Sequence, residues 1–156
     1  MAEMGEYTYK WPRPMVTVDT LVFSDCNGEL SVLLVRRGKA PFKDKWAVPG
    51  GFLEMDEDLL DGALRELEEE TGLKLKTAEQ FGVFGRPGRD PRGRTITICY
   101  IALIKAGRPE VQGADDAAEA QWIPAEKTGE LDFAFDHDMI VKTALESLPE
   151  LEKRLL

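Results

Sequence analysis

Residues 51–73 read GFLEMDEDLLDGALRELEEETGL, and the helix inside this stretch organises the rest of the chain. The spacing predicts a helix over Asp56 to Thr71, because its acidic first turn suits the positive end of the macrodipole and Gly72 is a natural C-terminal stop. At about 100° per residue, Leu60, Ala63, Leu64 and Leu67 fall on one apolar arc, while Glu66, Glu69 and Glu70 share a neighbouring arc about 100° wide. Glu68 points elsewhere. Like charges at i, i+3 and i+4 repel by a few tenths of a kcal/mol per pair, so this triple is either a solvated acidic face or a site with a compensating cation. Three carboxylates over one turn suit a hard ion such as Mg²⁺ or Mn²⁺, with positions left for water and a substrate phosphate.

The charge of the whole chain points to the same stretch. The 156 residues carry a net charge of −9, and residues 54–70 alone hold nine acidic side chains against one arginine. A surplus of that sign repels a phosphate backbone, which argues against nonspecific nucleic-acid binding. A hydrophobic fraction of 43% and a charged fraction of 31% are those of a globular chain, and the length suits one compact unit. Cys26 and Cys99 show neither disulfide-framework nor metal spacing, so free thiols in a reducing compartment are expected. The N-terminus lacks the basic and apolar regions of a signal peptide, and no run approaches the ~18 apolar residues of a membrane span. A cytoplasmic location with no membrane partner is therefore expected.

Around the helix, Met15 to Phe23 and Leu30 to Val35 read as a hairpin about the turn residues 24–28. Trp46 to Val48 reads as a short strand broken by Pro49-Gly50-Gly51 into a loop. Glu79 to Phe84, Arg94 to Ile104 and Glu119 to Ile123 read as strands, and His137 to Leu148 as a C-terminal helix. Strands, helix, strands, helix is the order of a mixed α/β or α+β layer fold with helices covering a sheet.

Gly51, Glu57, Arg65-Glu66-Leu67, Glu69-Glu70 and Gly72-Leu73 match, position for position, the box GX5EX7REUXEEXGU, where U is a bulky aliphatic residue. The chain thereby resembles the Nudix hydrolases. The resemblance implies an α/β/α sandwich around a mixed sheet, a single Nudix domain over residues 1–156 with its box at 51–73, and hydrolysis of a nucleoside diphosphate linked to another moiety. It also implies that Glu66, Glu69 and Glu70, with Glu70 foremost, bind the divalent metal. The backbone carbonyl of Gly50 or Gly51 is a further candidate ligand, since glycine lets the main chain approach an ion closely. Glu57 and Arg65 lie about 80° apart on an ideal helix, with Glu57 in the frayed first turn. Arg65, the cation of the cluster, is expected to fix nearby carboxylates by forked hydrogen bonds, with direct phosphate contact as the alternative. Gly62 is expected to relieve crowding near Glu66.

Beyond the box, Arg86, Arg89, Arg92 and Arg94 fall within nine residues. That density suits phosphate or ribose-phosphate recognition, or a solvated loop that balances the acidic helix. The stretch RDPRGR at 89–94, Pro87 fifteen residues past Gly72, and Phe135-Asp136-His137 resemble the ADP-ribose pyrophosphatase branch. That resemblance implies ADP-ribose as substrate, with AMP and ribose 5-phosphate as products, Arg86, Arg89, Arg92 and Gly51 at the substrate, and a homodimer in which Tyr7 to Pro14 crosses to the partner. Arg36 and Arg37 end a strand just before the box loop and either reach the phosphates or are surface charge; Arg36 is carried as the candidate. Tyr7, Tyr9, Trp11 and Phe42 are candidate platforms for adenine. The downstream acidic loop offers Asp115, Asp116 and Glu119 as general base or metal ligand, with Asp116 and Glu119 preferred. His137 is expected to cap or pack rather than to catalyse. Alternatives are cleanup of oxidised or noncanonical nucleoside triphosphates and, in another class, an ADP-ribose-binding regulator. The latter would control an attached DNA-binding module, and no basic recognition segment is visible in these 156 residues.

Overall fold

A computed structural model describes residues 5–155; residues 1–4 and Leu156 of the expected unit lie outside the described residues. Seven strands and two α-helices follow in the order β1 (Met15–Cys26), β2 (Glu29–Arg37), β3 (Trp46–Ala47), β4 (Gly50–Phe52), α1 (Leu59–Thr71), β5 (Glu79–Phe84), β6 (Thr95–Ile104), β7 (Ala117–Pro124) and α2 (His137–Leu155). A 3₁₀ turn over Ala125–Glu130, not expected from sequence, joins the last two. The sheet is mixed. β1 runs parallel to β6 from Met15↔Thr95 to Ser24↔Ile104, and its other pairings, with β2 and β4, are antiparallel. The hairpin turn is tighter than expected, confined to Asn27-Gly28, both at positive φ as a two-residue turn of this hand demands.

Side-chain alternation along the strands divides the core between two faces. Leu21, Phe23, Val32, Leu34, Cys99 and Ile101 face α2, where Ile140, Val141, Ala144 and Leu148 are buried. Val18, Val22, Leu33, Ile98 and Tyr100 face α1, meeting Ala63 and Leu67. This is the expected α/β/α sandwich. No helix among the described residues is long and apolar enough to cross a membrane, and Cys26 and Cys99 are both free thiols.

Three expectations about elements are corrected. Helix α1 begins at Leu59, three residues late, because Asp58 in extended conformation takes the N-cap position and its carboxylate accepts from the Leu59 N–H. Gly50 and Gly51 form not a loop but strand β4, paired with β1 through Asp19↔Gly50 and Val18↔Gly51. Helix α2 runs through Pro149 to Leu155. Burial of Leu148 and Leu151 against the sheet, at ~1.5–3 kcal/mol each, offsets the ~3 kcal/mol that an interior proline costs.

Candidate functional site

Strand β1 pairs with β2 only over residues 23–26, and nearer its start, at 17–19, it pairs with β4. Strand β2, meanwhile, runs on to pair with β3. A cavity of about 450 Å³ opens where the strands diverge, with α1 on one side and the loop before β6 on the other.

The acidic wall comes from Asp19 on β1 and from Glu66 and Glu70 on α1. Both glutamates are buried, at 6% and 7% exposure, so the helix turns this acidic face inward and leaves Leu64 only half-buried. Gly51 makes this packing possible: a Cβ there would sit 2.5 Å from the Glu66 carboxyl carbon. Glu70 Oε1 accepts from the Gly50 N–H at 2.7 Å. Burial pushes the Glu70 carboxyl well above the usual range; the Gly50 bond opposes this, and the charges of Glu66, Asp19 and Asp116 add to it. Burial also raises Glu66, against the pull of Arg65. Asp19 is pushed up to about 7, again by burial, with its bond from the Thr97 hydroxyl acting the other way.

Arg65 is the tether behind this wall. Its Nε and Nη2 fork onto Glu57 at 2.9 and 2.7 Å, and its Nη1 donates to Glu66 and Glu69 at 2.9 and 3.1 Å. Glu57 reaches Arg65 because it lies before the helix rather than in its first turn. Its carboxyl is held down by those bonds. Gly62 serves the same arrangement, since a Cβ there would meet Glu57 Oε1 at 2.7 Å and Leu53 at 2.9 Å, not Glu66. Glu69 does not line the cavity. The three-carboxylate cage is thus not preassembled: among the described residues no three His, Cys, Asp or Glu side chains are gathered to hold an ion, because Glu66 and Glu69 share Arg65 and Glu70 is bonded to Gly50. The donors themselves fit a hard divalent cation, being carboxylate oxygens whose burial and mutual repulsion a positive charge would relieve.

The opposite wall is basic. Arg89 and Arg92 line the cavity as expected positions, Arg89 forked onto Asp136 at 2.7 and 2.9 Å and Arg92 onto Asp90. Arg86 is exposed outside it. Arg36 is also outside. It opposes Glu119 across β2 and β7 and pairs with it at 2.9 Å, so Glu119 is removed from the cavity by the same contact. Arg37, one position on and therefore on the other side of the strand, lines the cavity instead. Asp115 and Asp116 are at the cavity, and Asp116 pairs with Lys39 at 2.5 Å.

Aromatic surface comes from Phe52 and Phe135. Arg92 lies over both rings at 4.6 and 5.2 Å. Of the aromatic residues considered from sequence, Phe42 packs edge-on to Phe135, while Tyr7, Tyr9 and Trp11 are 54%, 40% and 70% exposed and do not line the cavity. His137 is buried, and its Nδ1 accepts from the Val48 N–H at 3.0 Å, which pins α2 to the chain leading into β4. Burial lowers its pKa to about 4. Asp19, not among the site residues expected from sequence, is the one charged residue within the apolar run 15–23, which is a usable signal. Lys39 and Phe52 carried none.

A family model described as the NUDIX domain matches residues 13–143. The chain is 39% identical over 142 residues to the ADPR responsive transcriptional repressor NtrR of Acinetobacter baylyi, covering 88% of this chain but 56% of that relative. It is 40% identical to the ADP-ribose pyrophosphatase of Methanocaldococcus jannaschii, covering 83% of this chain and 72% of the relative. Among solved structures, the NUDIX domain of Shewanella oneidensis NrtR complexed with ADP ribose superposes with a TM-score of 0.83 at 34% identity, covering 91% of this chain and 94% of that one.

Proposed function

The chain belongs to the NUDIX family, and we propose that it is a divalent-metal-dependent pyrophosphohydrolase converting ADP-ribose and water to AMP and ribose 5-phosphate. The observation that carries this reading is the bipolar cavity, with Glu66 and Glu70 on one wall and Arg37, Arg89 and Arg92 on the other. A diphosphate needs both: cations to hold its charge and buried carboxylates to hold the metal. Similarity to an ADP-ribose pyrophosphatase and to a domain complexed with ADP ribose supports the choice of substrate.

Nudix hydrolases generally use divalent metals; Mg²⁺ or Mn²⁺ held by Glu66 and Glu70, with Glu69 and the main chain at Gly50 as further ligands, would neutralise phosphate charge and lower the pKa of an attacking water. The protein's own contribution is positioning. Arg65 holds Glu66 and Glu69 against Glu57, and the Gly50 N–H holds Glu70. Arg89, its plane fixed by Asp136, and Arg92, fixed by Asp90, present cationic edges to the phosphates. Asp116, which lines the cavity beside Lys39, is the candidate to orient water; Glu119 lies outside the cavity, paired with Arg36, and is not. The two free thiols support a reducing, cytoplasmic setting. The exposed rings of Tyr7, Tyr9 and Trp11 support a homodimer built through residues 7–14, which light scattering would check.

A second reading is an ADP-ribose-responsive regulator, favoured by the 39% identity to the repressor. Incubation with ADP-ribose and Mg²⁺, with release of AMP and ribose 5-phosphate followed by chromatography, separates the two. Turnover supports the enzyme, and tight ADP-ribose binding without turnover supports the regulator. Turnover of 8-oxo-dGTP in preference to ADP-ribose would refute the substrate assignment.

A further inference from the structure

His137 is the sole histidine of the chain, and the fold engages only one of its two ring nitrogens. Nδ1 accepts from the Val48 N–H at 3.0 Å. A nitrogen that accepts carries no proton, so the ring is neutral and its one proton sits on Nε2, which is therefore a donor. Among the described residues the side-chain nitrogen or oxygen both sealed from solvent and unpartnered is Arg36 Nε. Nε2 of His137 has no protein partner either, so it is not sealed in. The residue is 5% exposed and lines the cavity, which is the opening that Nε2 reaches. The ring is also held in place. Phe135 packs against it, ring centres 5.3 Å apart, and Phe42 in turn meets Phe135 edge-on. Phe135 adopts a left-handed backbone, φ 54°. A bulky residue rarely does so, and such strain persists where the surroundings over-determine a functional geometry. What this preset donor can read follows from its neighbours. Val48 and Phe135, which flank it, give the cavity an apolar lining there, and the adjacent Asp136 carboxylate is already forked onto Arg89. An uncharged donor does not compete with arginines for phosphate; it suits an uncharged acceptor on the organic part of a ligand. A ligand without that acceptor would bury the N–H unpaired, which is how a site rejects it.

We propose that His137 is a specificity-determining residue of this cavity: its Nε2–H donates to an uncharged acceptor of the bound ligand, a sugar hydroxyl or a base nitrogen, apart from the groups that hold phosphate. That the ligand is a nucleoside diphosphate derivative rests on the function proposed above; the fixed tautomer and the unengaged donor do not.

Two substitutions separate the donor from the structural bond. Asparagine places an amide oxygen near the position of Nδ1 and nothing at Nε2, so His137→Asn keeps an acceptor for Val48 and loses the donor. Glutamine places an amide nitrogen near Nε2 and nothing at Nδ1, so His137→Gln does the opposite. In calorimetric titrations with Mg²⁺, AMP, ribose 5-phosphate or both should bind His137→Asn about three- to tenfold more weakly, as loss of one neutral hydrogen bond does, with partial recovery in His137→Gln. Inorganic pyrophosphate, which offers no uncharged acceptor of this kind, should bind all three proteins within about twofold of one another. A loss confined to AMP assigns the acceptor to the base, and a loss that includes ribose 5-phosphate assigns it to a sugar hydroxyl. Nitrogen NMR of the untagged wild-type chain with isotope-labelled histidine guards against a variant that unfolds: Nε2 should be the protonated nitrogen, and it should shift more on adding AMP or ribose 5-phosphate than on adding pyrophosphate. A proton on Nδ1, an equal weakening of all three ligands in His137→Asn, wild-type affinity for both AMP and ribose 5-phosphate in that variant, or no binding of either by wild type would overturn the proposal. For ADP-ribose hydrolysis, His137→Asn should raise KM by the same three- to tenfold factor, with kcat within about twofold of wild type. An unchanged KM would overturn the donor while sparing the enzyme reading. Loss of AMP binding in that variant, with no ADP-ribose turnover by wild type, would do the reverse.

Discussion

Replacing Gly51 by alanine should damage turnover far more than folding, and the size of the effect can be worked from the packing. A Cβ at residue 51 would stand 2.5 Å from Glu66 Cδ and 2.6 Å from each carboxylate oxygen, whereas ordinary contact begins at 3.4 Å, so the carboxylate must retreat by about 0.9 Å. It has little freedom to do so. Glu66 is 6% exposed, and its Oε1 is bonded to Arg65 Nη1. The group that moves is the far end of a side chain, so the fold should lose only the ~1–3 kcal/mol typical of modest overpacking. A misplacement of about 1 Å at a reacting centre costs on the order of 100-fold, and kcat/KM for ADP-ribose should fall by about that factor. Gly50→Ala supplies the contrast, because its Cβ would collide with Asp19 Oδ1 and with the Val18 backbone carbonyl. A backbone inside a sheet cannot swing aside, so this variant should show its defect first in the thermal unfolding midpoint. Initial rates with Mg²⁺ and thermal unfolding measured on both variants decide the matter. Wild-type kcat/KM in Gly51→Ala, with the melting temperature unchanged, would refute the placement of Glu66 in the working site.

Glu70→Gln should cut turnover by orders of magnitude while leaving the metal-free melting temperature unchanged or raised, since burial and neighbouring carboxylates already press Glu70 toward its neutral form; a lower melting temperature with a normal rate would contradict this. His137 titrates near 4 when folded against 6.5 unfolded, so the unfolded chain binds the extra proton first as pH falls. Stability present above pH ~6.5 should then be lost on the way to pH ~4, by about 3 kcal/mol, and denaturant titrations should show a smaller acid loss in His137→Gln. Arg89→Ala or Arg92→Ala should raise the KM for ADP-ribose more than for nucleoside triphosphates, and equal effects would undercut the substrate assignment.

The fold and the family were legible in the chain because they are written in local patterns. The β-branched run 15–23, the apolar run 30–35, the strand read at 94–104 and the box at 51–73 each depend on near neighbours. Misreadings fell where a remote partner decides. Pro49-Gly50-Gly51 looks like a loop until β1 is available to pair with it. Pro149 looks like a stop until Leu148 and Leu151 have a sheet to bury against. Glu57 and Arg65 look badly phased until the cap at Asp58 takes Glu57 off the helix.

The sequence by itself determined that an acidic helix face follows a glycine pair, and with it the NUDIX family. Tertiary structure alone decided which charges meet. Arg36 and Arg37 are indistinguishable as letters, yet strand alternation sends one to Glu119 and the other to the cavity. Asp19 joins Glu66 and Glu70 only because β1 and β4 pair beside α1. Residue types set the charge available to the site, but a side chain's direction depends on the strand or helix that carries it and on what packs against it.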